Sequence, residues 1–441
     1  LAIVILFTKL FAAVLQIFGR GSSLPGEIAL KIAPNILKKL KLPATVIAVT
    51  GSNGKTGTCE LISAMARDEG KRVICNSKGS NLKSGVATLL LCNSTLSGKV
   101  KADVAVIESD ERYCQYTFAD ITPNYIVITN LFRDQLTRNG HNEFVAGELA
   151  KGLPAESTLI LCADDPLVMS LGMDRNIITY GIDAPELREK QGTEHVYNDG
   201  VFCPVCHRRT EYRFRIHNHV GSYRCPSCGF DRGTPNHVIT RAADDKFTID
   251  GEFELHPQIF NTMFGYNDLA AFTAGVDALG IKPDDAVRFL DGYILKNGRI
   301  RSFGVAGHKG TFMLCKHENS ISYDRTLQSI VDNLNGEATV VLVFDQLSRK
   351  YTANDISWLW DIDFDLLADD RIKRVLLSGE FADDLATRFE FTSVDPERLT
   401  VIPKIKKMMK SLYGNPVGEV FVMTCFTDVD KFISGLRRHD R

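Results

Sequence analysis

The chain has 441 residues, 44% apolar and 24% charged, a composition that describes a globular protein too long for one hydrophobic core and so built of two or three domains. Its net charge of −2 gives no electrostatic footprint for a nucleic-acid partner. Of its eleven cysteines, four fall in two CxxC pairs and seven stand singly in apolar stretches, which fits a reducing compartment with one metal site better than a secreted disulfide scaffold.

Leu1 to Phe18 is apolar apart from Thr8, Lys9 and Gln16. A helix of about 20 residues is just long enough to span a bilayer, but a spanning helix would hold Lys9 near its middle at a cost. The segment reads as a buried or interfacial helix. No small-residue cleavage site follows it, since Gly19-Arg20-Gly21 leads into Ser22-Ser23-Leu24-Pro25-Gly26, so a signal peptide is not expected. Thr45 to Val49 is a β-branched run, the mark of a buried strand, and helical spacing follows over Thr56 to Asp68. Further strands are expected at Val73–Cys75, Val104–Ile107, Tyr125–Thr129 and Thr158–Leu161. Strands alternating with helices indicate an α/β fold with a parallel sheet. The stretch from Cys203 to Cys228 interrupts this pattern as an inserted module, and Tyr266 to Leu279 is an Ala-rich helix. A second α/β unit begins near Arg299, after Asn297-Gly298, with strands at Val340–Phe344, Arg374–Leu377 and Val420–Met423.

The first strand runs into Thr50-Gly51-Ser52-Asn53-Gly54-Lys55-Thr56. Strand, glycine turn and helix start in that order make a phosphate loop: glycines let the backbone approach phosphates, and the N–H groups opening the helix bind anions. Lys55 is placed to reach the β- and γ-phosphates of ATP, and the Thr56 hydroxyl to ligate Mg²⁺. The loop is not a strict Walker A, which wants glycine where Val49 stands. Glu108 ends the strand Val104–Ile107 at the carboxyl edge where α/β sheets bind ligands, and its carboxylate could complete the Mg²⁺ shell with Thr56. Asp110 and Glu111 next to it compete for that role.

Cys203-Pro204-Val205-Cys206 and Cys225-Pro226-Ser227-Cys228 enclose 18 residues, the spacing of a four-thiolate zinc ribbon. His207, His217 and His219 are nearby alternatives, but four paired cysteines already fill a tetrahedral site. With no open position, the Zn²⁺ is expected to be structural.

The loop, Glu108, Thr129-Asn130-Leu131, Ala163-Asp164-Asp165-Pro166 and Tyr266-Asn267-Asp268-Leu269-Ala270-Ala271, in that order, resemble the muropeptide (Mur) ligases over roughly residues 41 to 300. The resemblance implies that Asn267 contacts the adenine and that Arg299 faces the nucleotide phosphates. Two departures stand out. Only about 40 residues precede the loop, where these ligases carry a UDP-binding domain, and Gln135 in Arg133-Asp134-Gln135 stands where a histidine helps hold a second metal. No counterpart of the family's carbamylated lysine is evident. Residues 19–26, the CPxC pairs and Asp355-Ile356-Ser357-Trp358-Leu359-Trp360-Asp361 resemble the MurT subgroup, synthetase subunits of lipid II isoglutaminyl synthases. That resemblance implies a Mur ligase-like central P-loop ATPase domain over residues 41–298, with a zinc ribbon inserted at about 200–232. An apolar segment (1–40) precedes it, and a smaller α/β C-terminal domain (299–441) that contacts a GatD-like glutaminase partner follows. It implies cytoplasmic ATP-dependent amidation of the D-glutamate α-carboxylate in the lipid II stem peptide, through an acyl phosphate, with the apolar segment placed to rest at the inner face of the membrane.

In that resemblance Asp355 supplies the carboxylate that completes the partner's Cys–His pair. The other reading is that Asp355 caps a helix at Ile356-Ser357-Trp358 while Trp358 and Trp360, the only two tryptophans, fill the C-terminal core; Asp361 and Asp363 are its rivals. The loop Gly79-Ser80-Asn81-Leu82-Lys83-Ser84-Gly85 is a candidate border of the acceptor groove. A folylpolyglutamate synthetase-like ligase would share the nucleotide loop but predicts neither zinc insertion nor the Ser357–Asp361 segment, and a non-enzymatic scaffold would bind nucleotide without turnover.

Overall fold

The computed structural model describes residues 1–17, 22–76, 80–190, 196–258, 260–295, 300–316, 318–345 and 355–425. Two compact units emerge, one of residues 1–132, 141–193 and 198–295, the other of 133–140, 194–197 and 296–441.

The first unit is built on nine strands: β1 (Thr45–Thr50), β2 (Val73–Cys75), β3 (Val104–Glu108), β4 (Tyr125–Ile128), β5 (Thr158–Cys162), β6 (Ile177–Ile182) and, after a separate hairpin of β7 (Glu211–His217) and β8 (Val220–Arg224), β9 (His237–Ala243), β10 (Lys246–Ile249) and β11 (Phe253–Leu255). Their spatial order is β11-β10-β9-β6-β5-β4-β1-β3-β2. From β9 to β2 every pairing is parallel. The sequences Val46–Thr50 and Val104–Glu108 are buried along their whole length, as strands covered by helices on both faces must be. β1 lies between β3 and β4, with Val49 opposite Glu108. The chain leaves β1 for one side of the sheet and returns on the other, so a crevice opens at the carboxyl end of β1.

The apolar start of the chain forms α1 (Ala2–Ile17), which packs on α2 (Leu24–Ile32) and, beyond α3 (Lys55–Asp68), on α4 (Lys83–Cys92). Gly26 makes the α2–α4 approach possible: its N–H donates to Thr88 Oγ1 at 2.8 Å, and a Cβ there would lie 2.0 Å from the Ser84 carbonyl. The Ala-rich helix begins earlier than the sequence suggests, at Thr262, because Asn261 caps it through Met263 N. It passes at Ala274–Ala278 into a π turn.

The second unit carries β12 (Ile300–Val305), β13 (His308–Cys315), β14 (Ala338–Val343), β15 (Ile372–Ser378), β16 (Leu399–Val401) and β17 (Glu419–Cys425), in the order β12-β13-β17-β14-β15-β16. Only the β12–β13 hairpin is antiparallel. One face packs Tyr323, Leu327, Trp358 and Phe389, the other Met408, Met409 and Leu412.

Candidate nucleotide and metal sites

Gly51 and Gly54 adopt φ of 122° and 86°, the region that side chains disfavour. At Gly54 a Cβ would also stand 2.1 Å from Asn267 Oδ1. The loop therefore closes on Asn267, the residue the resemblance assigns to adenine. Gly54 is the cap residue of α3 and offers no side chain, which leaves the first-turn N–H groups of α3 facing the loop, a ready seat for phosphate.

The loop is held from behind by the strand-end segment Thr129–Phe132. Asn53 N donates to Asn130 Oδ1 at 2.9 Å and Asn130 Nδ2 returns to Asn53 O at 3.2 Å. Thr129 Oγ1 donates to Asn53 O at 2.6 Å, and Ser52 N to Asn130 O at 2.8 Å. Phe132 N donates to Ser52 Oγ at 3.1 Å. In the sequence this segment was legible only through family resemblance; its partners lie nearly 80 positions away, and no local pattern announces them.

Thr56 and Glu108 meet: Thr56 Oγ1 donates to Glu108 Oε2 at 2.9 Å. Glu108 is 3% exposed, and its backbone is locked by Asn76, which accepts from Glu108 N at 2.7 Å and donates to Glu108 O at 2.8 Å. Asn81, in the loop proposed to border the acceptor, donates to Glu108 Oε1 at 3.3 Å. A hydroxyl beside a positioned carboxylate is the hard-oxygen pair that Mg²⁺ takes. The neighbour Glu111 has a different partner. Its Oε2 accepts from Lys55 Nζ at 2.8 Å, and Lys55 also donates to the Gly51 carbonyl. The ammonium thus rests inside the loop beside a buried carboxylate, a contact that no local sequence pattern assigns.

Arg299 and Gly79 lie outside the described residues. Gln135 is in the left-handed region at φ 47°. Asp134 beside it accepts from Asn319 Nδ2 at 3.0 Å and pairs with Lys316, so its carboxylate is engaged by cationic and amide groups.

The four cysteine sulfurs lie within 4.8 Å of one another. Cys203 Sγ and Cys228 Sγ are 3.7 Å apart, Cys206 Sγ and Cys225 Sγ 3.5 Å. Zinc–sulfur bonds of about 2.3 Å in a tetrahedron put sulfurs about 3.8 Å apart, so the cluster fits such an ion. Two knuckles shape it: Cys203 N donates to Arg208 O and Cys225 N to Phe230 O. The cysteines precede and follow the β7–β8 hairpin, whose turn carries His219. The His219 ring is buried 4.7 Å from that of Phe132, and its Nε2 lies 3.5 Å from Asp165 Oδ2. Asp165 in turn accepts from Leu131 N at 2.8 Å. Arg232 closes the insertion on Asp164 and on Asp183, the latter at 2.7 Å, while Tyr266 donates to Asp164 Oδ2 at 2.5 Å. Burial pushes the Asp164 carboxyl up, against the pull of Arg232. His219 is therefore no metal-ligand rival; it props the segment that supports the phosphate loop.

Asp355 accepts from Ser357 N at 2.8 Å and so closes the turn into the 3₁₀ helix Ser357–Asp361. The tryptophans divide: Trp358 is buried against Tyr323 and Phe344, whereas Trp360 is 45% exposed against Phe391. Asp361 is held by Arg133 at 3.1 Å, and Asp363 Oδ1 accepts from Asp365 N.

The Mur ligase middle domain family matches residues 49–219, and the MurT ligase C-terminal family residues 317–429. The lipid II isoglutaminyl synthase (glutamine-hydrolyzing) subunit MurT of Staphylococcus aureus (strain COL) is 30% identical over 383 residues, 85% of this chain and 84% of that protein. The subunit of the same name from Streptococcus pneumoniae (strain ATCC BAA-255 / R6) is 28% identical over 442 residues, 95% and 93% of the two chains. Among solved structures, a pseudomurein peptide ligase type C from Methanothermus fervidus superposes with a TM-score of 0.67 at 21% identity, covering 91% of this chain and 80% of that one.

Proposed function

We propose a function from a premise that the relatives establish: the chain belongs to the MurT family of Mur ligase-like ligase subunits. It is the ATP-using subunit of a glutamine-dependent lipid II isoglutaminyl synthase, working with a GatD-like glutaminase partner. The single observation that carries the ATP-using role is the Thr56–Glu108 bond at the mouth of a glycine-capped helix that also presents Lys55.

Mg²⁺, when bound with ATP, neutralises phosphate charge and fixes the γ-phosphoryl geometry. Thr56 and Glu108 are the residues that would hold it. Lys55 leaves Glu111 and the Gly51 carbonyl for the phosphates, stabilising charge as the γ-phosphoryl group moves to the α-carboxylate of the D-glutamate residue. The bond from phosphorus to the bridging oxygen of ADP breaks, and a phosphorus–carboxylate bond forms. Ammonia then attacks the acyl carbon, phosphate leaves, and D-isoglutamine remains. Ammonia must arrive unprotonated, which favours delivery from a docked glutaminase. Asn267, on which the loop closes, would border the nucleotide, and the family resemblance assigns Arg299 to its phosphates. Asp355 orients the histidine of the partner's nucleophilic cysteine. Cys203, Cys206, Cys225 and Cys228 would hold a structural Zn²⁺. These substrates place the reaction in the cytoplasm; no described helix is long and apolar enough to cross a membrane.

The test is reconstitution with the glutaminase subunit, ATP, glutamine and lipid II. The amide at the D-glutamate carboxyl is expected by mass spectrometry, and hydroxylamine should trap the acyl phosphate as a hydroxamate. ATP binding without amide or hydroxamate would leave a nucleotide-binding scaffold instead.

A further inference from the structure

The outward face of α1 is the feature of this molecule that neither the nucleotide site nor the cysteine cluster uses. Ile3, Leu6, Phe7, Leu10, Val14 and Ile17 are each 43 to 84% exposed. At helical spacing these six fall within an arc of about 100°, with no polar residue among them. The opposite face is already satisfied: Ile5, Thr8 and Ala12 are buried, and Thr8 Oγ1 donates to Val4 O at 2.7 Å. Lys9, the one charge on the helix, does not interrupt the apolar stripe. Its ammonium is turned back onto the Ser94 carbonyl just past the end of α4, where the helix dipole favours a cation.

The charge around this helix identifies what covers it. Residues 1–41 contain Lys9, Arg20, Lys31, Lys38, Lys39 and Lys41 against a single acid, Glu27. That segment carries +5 and the remainder −7, in a chain whose net charge is −2. Lys31, Lys38, Lys39 and Lys41 are exposed; Lys31 pairs with Glu27 and Lys38 lies 3.7 Å from Asp120, each lysine at the surface. The basic stretch also lies next to the start of α1, since Leu1 and the Lys39 carbonyl both approach Gly98. On α2, Leu24 and Ile32 are exposed apolar residues as well. A protein interface mixes polar and apolar groups, with roughly 55–65% of its area apolar. An uninterrupted apolar stripe beside lysines is instead the pattern of a helix lying in the headgroup region of an anionic bilayer.

We propose that α1 is a membrane-surface helix that lays its Ile3–Ile17 stripe into an anionic lipid bilayer, with Lys31, Lys38, Lys39 and Lys41 supplying the electrostatic attraction. The helix is parallel to the membrane rather than across it, since its inner face belongs to the protein. This inference stands on the helix face and the charge distribution and does not depend on the amidation chemistry.

The test is flotation of the 441-residue chain with vesicles of phosphatidylcholine and phosphatidylglycerol, or of phosphatidylcholine alone, with neither a peptidoglycan precursor nor ATP present. Binding is expected to the phosphatidylglycerol vesicles and to be weaker by about tenfold or more without the anionic lipid or at high salt, where surface attraction is screened. Leu10→Glu with Val14→Glu should abolish flotation. Both positions are exposed, so circular dichroism and ATP affinity should match the parent. Lys39→Glu with Lys41→Glu should weaken flotation while leaving the apolar stripe intact. Absence of flotation with anionic vesicles, or flotation indifferent to Leu10→Glu with Val14→Glu, overturns the proposal. So does a dimer of the parent chain that this double variant converts to monomer without any vesicle binding, which would make a second copy the occupant.

Discussion

Glu108 and Asp355 are both acidic residues assigned to chemistry, and their surroundings differ in kind. Glu108 is buried at a strand end, with Thr56 and Asn81 on its carboxylate and Asn76 on its backbone. All of these come from distant parts of the chain. Asp355 is half-buried and makes a bond to Ser357 N, two residues away. A site that one chain completes by itself shows as a web of long-range bonds. A carboxylate proposed to serve a partner's histidine has only a local turn to fix it until the partner arrives.

The largest expected effect tests the self-contained half of that contrast. Lys55→Ala should cut amidation by about a thousandfold, a loss typical when transition-state charge is left unneutralised. The loss should be equal whether ammonia comes from glutamine or is added as ammonium salt. Retained turnover would remove the phosphate loop from the mechanism.

Asp355→Asn should behave asymmetrically. Glutamine-driven amidation is expected to fall by about a hundredfold, on the scale of impaired acid–base catalysis, while ammonium-driven amidation and ATP affinity stay at parental levels. Asparagine keeps an oxygen for the Ser357 N–H, so the turn is preserved. An unchanged glutaminase rate in an assembled complex would return Asp355 to a turn-closing role.

Cys225→Ser sharpens the comparison from outside the site. Metal analysis of the parent should return one zinc per chain and of the variant close to none, because binding of the ion and folding of the ribbon are coupled. His219 should then lose its seat against Phe132 and Asp165, and ATP affinity should drop several-fold. A metal-free variant with parental ATP affinity would show that the ribbon and the phosphate loop are independent.

The smallest effect concerns the floor under the Asp355 segment. Burial holds the Asp324 carboxyl at about 8, assisted by the carboxylates of Asp363 and Asp361 and opposed by the Asp363 N–H and Arg325. A carboxyl raised in the folded state stabilises fully below its unfolded value of about 4, and that contribution is lost as pH rises through about 8. Asp324→Asn can still accept from Asp363 N, now 2.7 Å from Asp324 Oδ1. The thermal midpoint should rise by a few degrees near pH 9 and change little near pH 4. A lower midpoint at high pH would mean that the ionised form is paired rather than penalised.

The sequence by itself determined the elements whose cause is local. β-branched runs predicted β1 and β3 to within one residue at their ends, because strands buried on both faces must be continuously apolar. The glycines of the phosphate loop were legible because only glycine takes that backbone, and the four cysteines because metal-ligand spacing is short-range. Tertiary structure alone decided which acidic side chain faces which partner. Glu108, Asp110 and Glu111 are equivalent in composition, yet Glu108 meets Thr56 and Glu111 meets Lys55, since the turn after β3 sends successive side chains in different directions. The two tryptophans, two positions apart, were likewise separated by a 3₁₀ turn that buries one and exposes the other. The role of His219 followed from neither spacing nor motif. It arose when the hairpin folded back onto Phe132 and Asp165, a contact fixed by packing between segments far apart in the chain.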